Sequence, residues 1–181
     1  NKVDIRILYI DGLDVNSKDN LGKTALMYAC ENGQNWAVKK LLKAEGIDIN
    51  TTDYLGKTAL MYASENGHYR VVSWIIEFEG IHVNSKDNLG KTALMYASEN
   101  GHYMVVKWLL DNEEIDVSVI DNLGKNALMY AVENNFLEIA NYFTIYAPLF
   151  SAIKRNDIET VKSLLKVDGI DINFIYKDGM T

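Results

Sequence analysis

Three histidines, one cysteine and an evenly spaced series of carboxylates are the groups in this chain that could do chemistry if folding brought them together. His68 and His102 could each offer a ring nitrogen to a metal. They stand 34 residues apart at one phase of a repeat, where stacked helices lie roughly 8 to 10 Å apart, too far for one ion to take both. They read as the starters of helices, and His82 is alone. No HExxH pair and no Cys-His cluster with ligand spacing occurs, so neither metal nor cofactor is expected. The Gly-Lys pairs at Gly22, Gly56, Gly90 and Gly124 lack the upstream glycine of a phosphate loop, and turn geometry accounts for them. Glu31, Glu65, Glu99 and Glu133 fall one per repeat, which makes a solvated ladder rather than an acid-base pair. Cys30 aligns with Ser64, Ser98 and Val132 and reads as a packed small residue. A lone cysteine makes no disulfide framework. The expectation is that this segment is not an enzyme.

The elements behind these residues are repeats. GKTALMYA begins at Gly22, returns at Gly56 and Gly90, and reappears as GKNALMYA at Gly124, each 34 residues after the last. A fixed period of this size marks a supersecondary unit that buries its apolar face only against its neighbours, which predicts an elongated solenoid. In the unit Thr51 to Asn84, Asp53 and Gly56 mark a turn. Thr58 can cap a short helix to Asn66, with Ala59, Leu60 and Ala63 on one face. Gly67 ends it. A second helix from His68 to Phe78 carries Val71, Val72, Ile75 and Ile76 on its buried stripe, and Gly80 stops it. Ile81 to Asn84 alternates like an extended arm. Trp74 and Trp108 share one phase and are expected in the core; the one-per-unit ladder Tyr28, Tyr62, Tyr96 and Tyr130 is expected to serve packing rather than recognition.

Asp53-Tyr54-Leu55-Gly56-Lys57-Thr58-Ala59-Leu60-Met61-Tyr62-Ala63 resembles, almost position by position, the opening of the ankyrin repeat unit, and the resemblance runs over nearly the whole chain. It departs in having Ala59 for proline, Met61 for histidine, and one extra residue per unit. These remove the family's helix-starting proline and the imidazole hydrogen bonds that tie its turns. The resemblance implies an all-α solenoid of stacked helix-turn-helix units with short β-hairpin fingers. It also implies a non-catalytic protein-protein interaction scaffold, whose partners bind a concave face made of turn tips and the exposed edge of the first helix. On that face lie Asn20 and Lys23, Tyr54 and Lys57, Asn88 and Lys91, Val119, Ile120, Asn122 and Lys125, with Glu65 and Glu99 at the helix edges. Tyr54 and Ile120 are the first choices for partner contacts, because large apolar groups gain most from desolvation at an interface.

The tips barely vary from unit to unit. Recent duplication, with Lys and Glu forming a weak exposed ion ladder, explains this uniformity; recognition of an extended, repetitive partner is the sharper alternative. The outer positions of the second helix vary more, with Trp36 and Phe78 among them, and offer a convex face as a further possibility.

The regular stack is expected over residues 1–146: a partial first unit, matching Leu41 to Asn50 from Ile7, and then units starting near 17, 51, 85 and 119. The next step, from Asn126 to its equivalent Ala147, is only 21 residues, so the length of an arm plus a turn is missing. Residues 147–181 carry a further helix pair, with Pro148 at a helix start and Lys154, Arg155, Asn156, Asp157 and Glu159 supplying polar surface. It reads as the cap of a second stack, although a continuous stack lacking one finger fits the same spacing. The chain ends inside another unit at Asp178-Gly179-Met180-Thr181, and a piece of a longer polypeptide is expected.

With 48% hydrophobic residues a core can form, and no apolar run approaches the roughly 18 residues a membrane span needs. The formal charge of −7 argues against a phosphate backbone as partner. A monomer that binds another protein in the cytoplasm is expected, with a secreted effector, a regulatory segment of a larger enzyme or a structural spacer as alternatives.

Overall fold

A computed structural model describes residues 14–146, together with 148–149, 152, 155, 157–164 and 166. The partial first unit before residue 14 and the closing Asp178 to Thr181 lie outside the described residues. The chain divides into two compact units, Asn1–Ala140 and Asn141–Thr181.

In the first unit the helices come in pairs: α1 (Ala25–Glu31) with α2 (Asn35–Leu41), α3 (Ala59–Glu65) with α4 (Tyr69–Ile76), α5 (Ala93–Glu99) with α6 (Tyr103–Leu110), and α7 (Ala127–Glu133) with α8 (Leu137–Asn141). First helices stack on first helices, α1 on α3, α3 on α5 and α5 on α7, while α2, α4 and α6 form a second layer. The solenoid expected from the period is therefore present, and all elements among the described residues are helical.

The first helices are seven residues long, too short to persist without caps and packing. Thr58 accepts a hydrogen bond from the Met61 amide at 3.3 Å, and the Met61 sulfur accepts one from the Thr58 amide at 3.5 Å. The same pair occurs at Thr24 and Met27. Methionine thus completes a capping box at the position where the family resemblance led one to expect histidine. Asn66 closes α3, its side-chain amide donating to the Tyr62 carbonyl at 2.9 Å.

Helix α4 begins at Tyr69 with His68 as the residue before it, so the second helix is shorter at both ends than the sequence pattern suggests. Val71, Val72 and Ile75 are buried, whereas Ile76 is half-buried. Trp74 and Trp108 are corrections: Trp74 is half-buried and Trp108 exposed. The buried stripe passes through Val71, Val72 and Ile75, leaving the tryptophan phase at the helix margin, where the Lys39 ammonium sits 4.1 Å from the centre of the Trp74 ring. Cys30 is fully buried, and burial pushes its thiol well above the ordinary value.

The fingers form no β-strand among the described residues. Asp53 makes them tight turns instead: its amide donates to the Lys57 carbonyl at 3.0 Å, and its carboxylate accepts the amides of Leu55 at 2.9 Å and Lys57 at 2.8 Å. The carboxylate takes the donors that a paired strand would otherwise satisfy.

In the second unit, Tyr142–Tyr146 form a π-helical turn and α9 spans Ile158–Leu164. Pro148 is helical, Leu149 and Ala152 are buried, and Asp157 caps α9 by accepting from the Thr160 amide at 3.1 Å. Arg155 and Glu159 are exposed; Lys154 and Asn156 lie outside the described residues.

Candidate functional site

The fingers and the first helices form one continuous surface, and its repetition is built by bonds between successive repeats. Each finger takes an amide donor from the next: Tyr54 to the Leu21 carbonyl at 3.2 Å, Asn88 to Leu55 and Asn122 to Leu89, both at 3.0 Å. The Asn88 side chain also donates to the Tyr54 carbonyl, and that of Asn122 to the Asn88 carbonyl, each at 3.0 Å. Asn88 and Asn122 thus join finger to finger, while Asn20 at the first tip is exposed.

At the base of each finger lies a network that sequence reasoning missed. Tyr62 donates its hydroxyl to Asp53 at 2.6 Å, and Tyr28, Tyr96 and Tyr130 do the same to Asp19, Asp87 and Asp121. Burial, followed by the bond to the carboxylate, pushes the phenols of Tyr62, Tyr96 and Tyr130 far above their ordinary range. At Asp121 burial pushes upward. The Tyr130 hydroxyl, the Lys125 and Leu123 amides and the Lys91 charge outweigh it and hold the carboxyl below its usual value. The legible signal was the constant nine-residue offset between each Asp and its Tyr.

The lysines complete the network. Lys57 pairs with Glu65 at 2.7 Å, and its ammonium lies 5.3 Å from the centre of the Tyr62 ring and 4.2 Å from that of Tyr96 in the next repeat. Lys23 with Glu31 and Lys91 with Glu99 repeat this arrangement, each lysine held between its own tyrosine and the next one. The ion ladder is therefore not an exposed one: the Lys23, Lys57 and Lys91 side chains are only 10%, 12% and 13% accessible, because two aromatic rings cover each stem. Lys125 pairs with Glu133 at 2.6 Å and, among the described residues, lies over the Tyr130 ring only; its side chain is 32% accessible.

Above this network the tips are apolar. Tyr54 is 69% exposed, and Leu21, Leu55, Leu89, Leu123 and Ile120 are also exposed. Val119, beside Ile120, is half-buried. The leucines are legible as tip residues in the repeat, but sequence reasoning chose Tyr54 and Ile120 ahead of them as partner contacts. On the other side, Trp36, Tyr69, Met104 and Trp108 expose apolar area along the second helices, and Phe78 is half-buried.

The histidines serve the scaffold. His68 precedes α4, and its Nε2 lies 3.1 Å from the Glu31 carbonyl of the preceding repeat; His102 Nε2 lies 2.9 Å from that of Glu65. Among the described residues no three of His, Cys, Asp and Glu come together as metal ligands, and no helix is long and apolar enough to cross a membrane.

A search of curated proteins finds no match to this chain. The family model described as ankyrin repeats (3 copies) matches residues 2–87 and 78–147, most of the sequence and all four described helix pairs. Proteins of this kind are generally protein-protein interaction modules and typically non-catalytic scaffolds. With its 34-residue period, its capped helix pairs and its linked fingers, the chain belongs to the ankyrin repeat family.

Proposed function

We propose that this chain is a non-catalytic scaffold that binds another protein on the face formed by its fingers and first helices, the concave side in stacks of this family. The observation that carries the reading is the row of exposed leucines, one per finger, interrupted by Tyr54 and Ile120 and underlain by lysines already committed to internal pairs. An aqueous surface gains nothing from six large apolar side chains along its fingers, and such a patch marks a contact surface. Tyr54 and Ile120 are the anchors. Lys23, Lys57, Lys91 and Lys125, with Glu65 and Glu99, set the rim and hold the tips in place, and Asn20, Asn88 and Asn122 present or link the turns. The net charge of −7 favours a partner with basic groups around an apolar centre and disfavours nucleic acid.

The exposed Trp36, Met104 and Trp108 favour a second reading, in which a partner sits on the outer side of the second helices. Affinity capture from the native lysate separates the two. The wild-type chain, a Tyr54→Ala/Ile120→Ala variant and a Trp36→Ala/Trp108→Ala variant serve as baits. A partner lost only by the first variant supports the finger face, and one lost only by the second moves the site to the second helices.

A further inference from the structure

The exits of the second helices vary where the fingers hardly do. Lys43, Ala44, Glu45 and Gly46 follow α2; the same places hold Glu77, Phe78, Glu79 and Gly80 after α4, and Asp111, Asn112, Glu113 and Glu114 after α6. The packing of the stack therefore does not dictate these side chains. A helix ends in carbonyls that carry partial negative charge, which favours cations there. Helix α2 follows that rule with Lys39 and Lys40 in its last turn, whereas α4 has no basic residue in its last turn and runs into Glu77 and Glu79. Helix α6 keeps Lys107 but is followed by three carboxylates, one of them on Glu114, where the first two repeats have a glycine. The sequence has gathered acidic groups where local preference asks for basic ones, and such departures mark what a surface does rather than what a fold needs.

Between the exits of α4 and α6 lies a groove of about 540 Å³. Ile76, Phe78 and Ile81 give it an apolar lining, and Glu79, Glu113 and Glu114 border it with carboxylates. Phe78 is half-buried and the three glutamates are exposed. Among the described residues the ion pairs fall elsewhere, and none engages these three carboxylates. The two sides are tied together by Asn84, whose side-chain amide donates to the Glu114 carbonyl at 2.7 Å and whose oxygen accepts from the Asp116 amide at 2.9 Å. Asn50 and Asn16 make the same bridge one and two repeats earlier, while Ser118, next in the series, bonds to its own neighbour Asp116 at 2.6 Å. The groove is thus preformed, and every residue that lines it belongs to the first compact unit.

We propose that this groove docks a segment of a partner protein in which arginines or lysines flank one large apolar side chain. Charge complementarity names the occupant. Carboxylates from both repeats and two helix ends of the same sign attract cations and repel an acidic segment. The lining of Ile76, Phe78 and Ile81 gives the apolar side chain a place to leave water, which a purely basic segment would not use. Guanidinium groups suit the border best, since their planar fork binds carboxylates in pairs of hydrogen bonds. The proposal does not rest on the finger-face reading: neither Tyr54 nor Ile120 lines the groove, and either can fail alone.

The test titrates the whole chain, isotope-labelled and at low ionic strength, with two acetylated and amidated peptides. One is Arg-Arg-Leu-Arg-Arg; the other, Arg-Arg-Ser-Arg-Arg, has the same charge and no apolar side chain. Saturable shifts of the Phe78, Gly80, Glu113 and Glu114 amides are expected with the leucine peptide, and about tenfold weaker binding with the serine peptide. Two variants borrow residues that other repeats already carry at these places: Phe78→Ala, after Ala44, and Glu114→Gly, after Gly46 and Gly80. Each should weaken the leucine peptide by about threefold to tenfold. Absence of saturable shifts, equal binding of the two peptides, full binding by Phe78→Ala, or shifts centred on the Tyr54 and Leu55 amides would overturn the proposal. So would the same shifts produced by calcium ions alone or by raising the chain's own concentration, which would make a metal ion or a second copy the occupant.

Discussion

Tyr62 and Asp53 show how a single pair sets the fold's response to its surroundings. The hydroxyl donates to a buried carboxylate, a charge-assisted bond, and Tyr62→Phe should cost about 1.5 to 3 kcal/mol in urea unfolding. Tyr28→Phe should cost less, because Asp19 is exposed. The carboxyls of Asp19 and Asp121 are held below 3.8, their ordinary value, so the stability they contribute is present above that pH and lost as pH falls through the lowered folded values. The tyrosines run the other way: raised above 10.0 in the fold, they stabilise it below that pH, and the contribution is lost as pH rises through their folded values. A pH series of unfolding curves should fall at both ends, and Asp121→Asn should flatten the acid limb. Ser64 and Ser98 present the opposite case, for their hydroxyls are buried without a partner. Ser64→Ala should stabilise the chain by about 1 kcal/mol, read as a higher urea midpoint at unchanged slope; a lower midpoint would mean the hydroxyl finds a partner.

At the scale of the elements, what holds a finger is the close approach of the next one. Gly56 sits at φ +79°, and an added Cβ would lie 2.7 Å from the Asn88 side-chain oxygen and 2.9 Å from its backbone nitrogen. Gly124 has nearly the same φ, +76°, with no described residue within 4 Å of the added Cβ. Gly124→Ala should therefore cost only the left-handed backbone penalty, about 1 to 2 kcal/mol, whereas Gly56→Ala should cost clearly more and loosen the contact between the second and third fingers. Equal losses on unfolding would show that finger packing contributes nothing. The period, the turn and the two helices of each unit were legible because Gly56, Thr58, Gly67 and the Val71-Val72-Ile75 stripe act within a few residues of one another. The Tyr-Asp bond and the lysine between two rings were not read. They depend on side chains meeting across nine residues or across a whole repeat, and their signal is only that they never vary. The tryptophans were misplaced for a related reason: at the border of a narrow buried stripe, one step of helical phase separates core from margin.

For the whole molecule, stability in a stack is a sum of repeat terms and neighbour terms, so changes at inner interfaces should spread and changes at the end should stay local. Asn50 bridges two arms through bonds of 2.8 Å and 2.9 Å, and Asn50→Ala should broaden the unfolding transition, while Ser118→Ala should leave it nearly unchanged; differential scanning calorimetry reads both. The candidate site was legible as a face and not as a set of atoms. Repetition located the tips, but which tip groups are free and which are spent on their neighbours is decided by packing. The account centres on the finger face as the protein-binding surface, and the most direct measurement is titration calorimetry of the captured partner against three chains: wild type, Tyr54→Ala/Ile120→Ala and Trp36→Ala/Trp108→Ala. The account predicts at least about tenfold weaker binding for the first variant, equivalent to 1.4 kcal/mol or more, with the second variant unchanged. Full affinity in the first variant and loss in the second would contradict it.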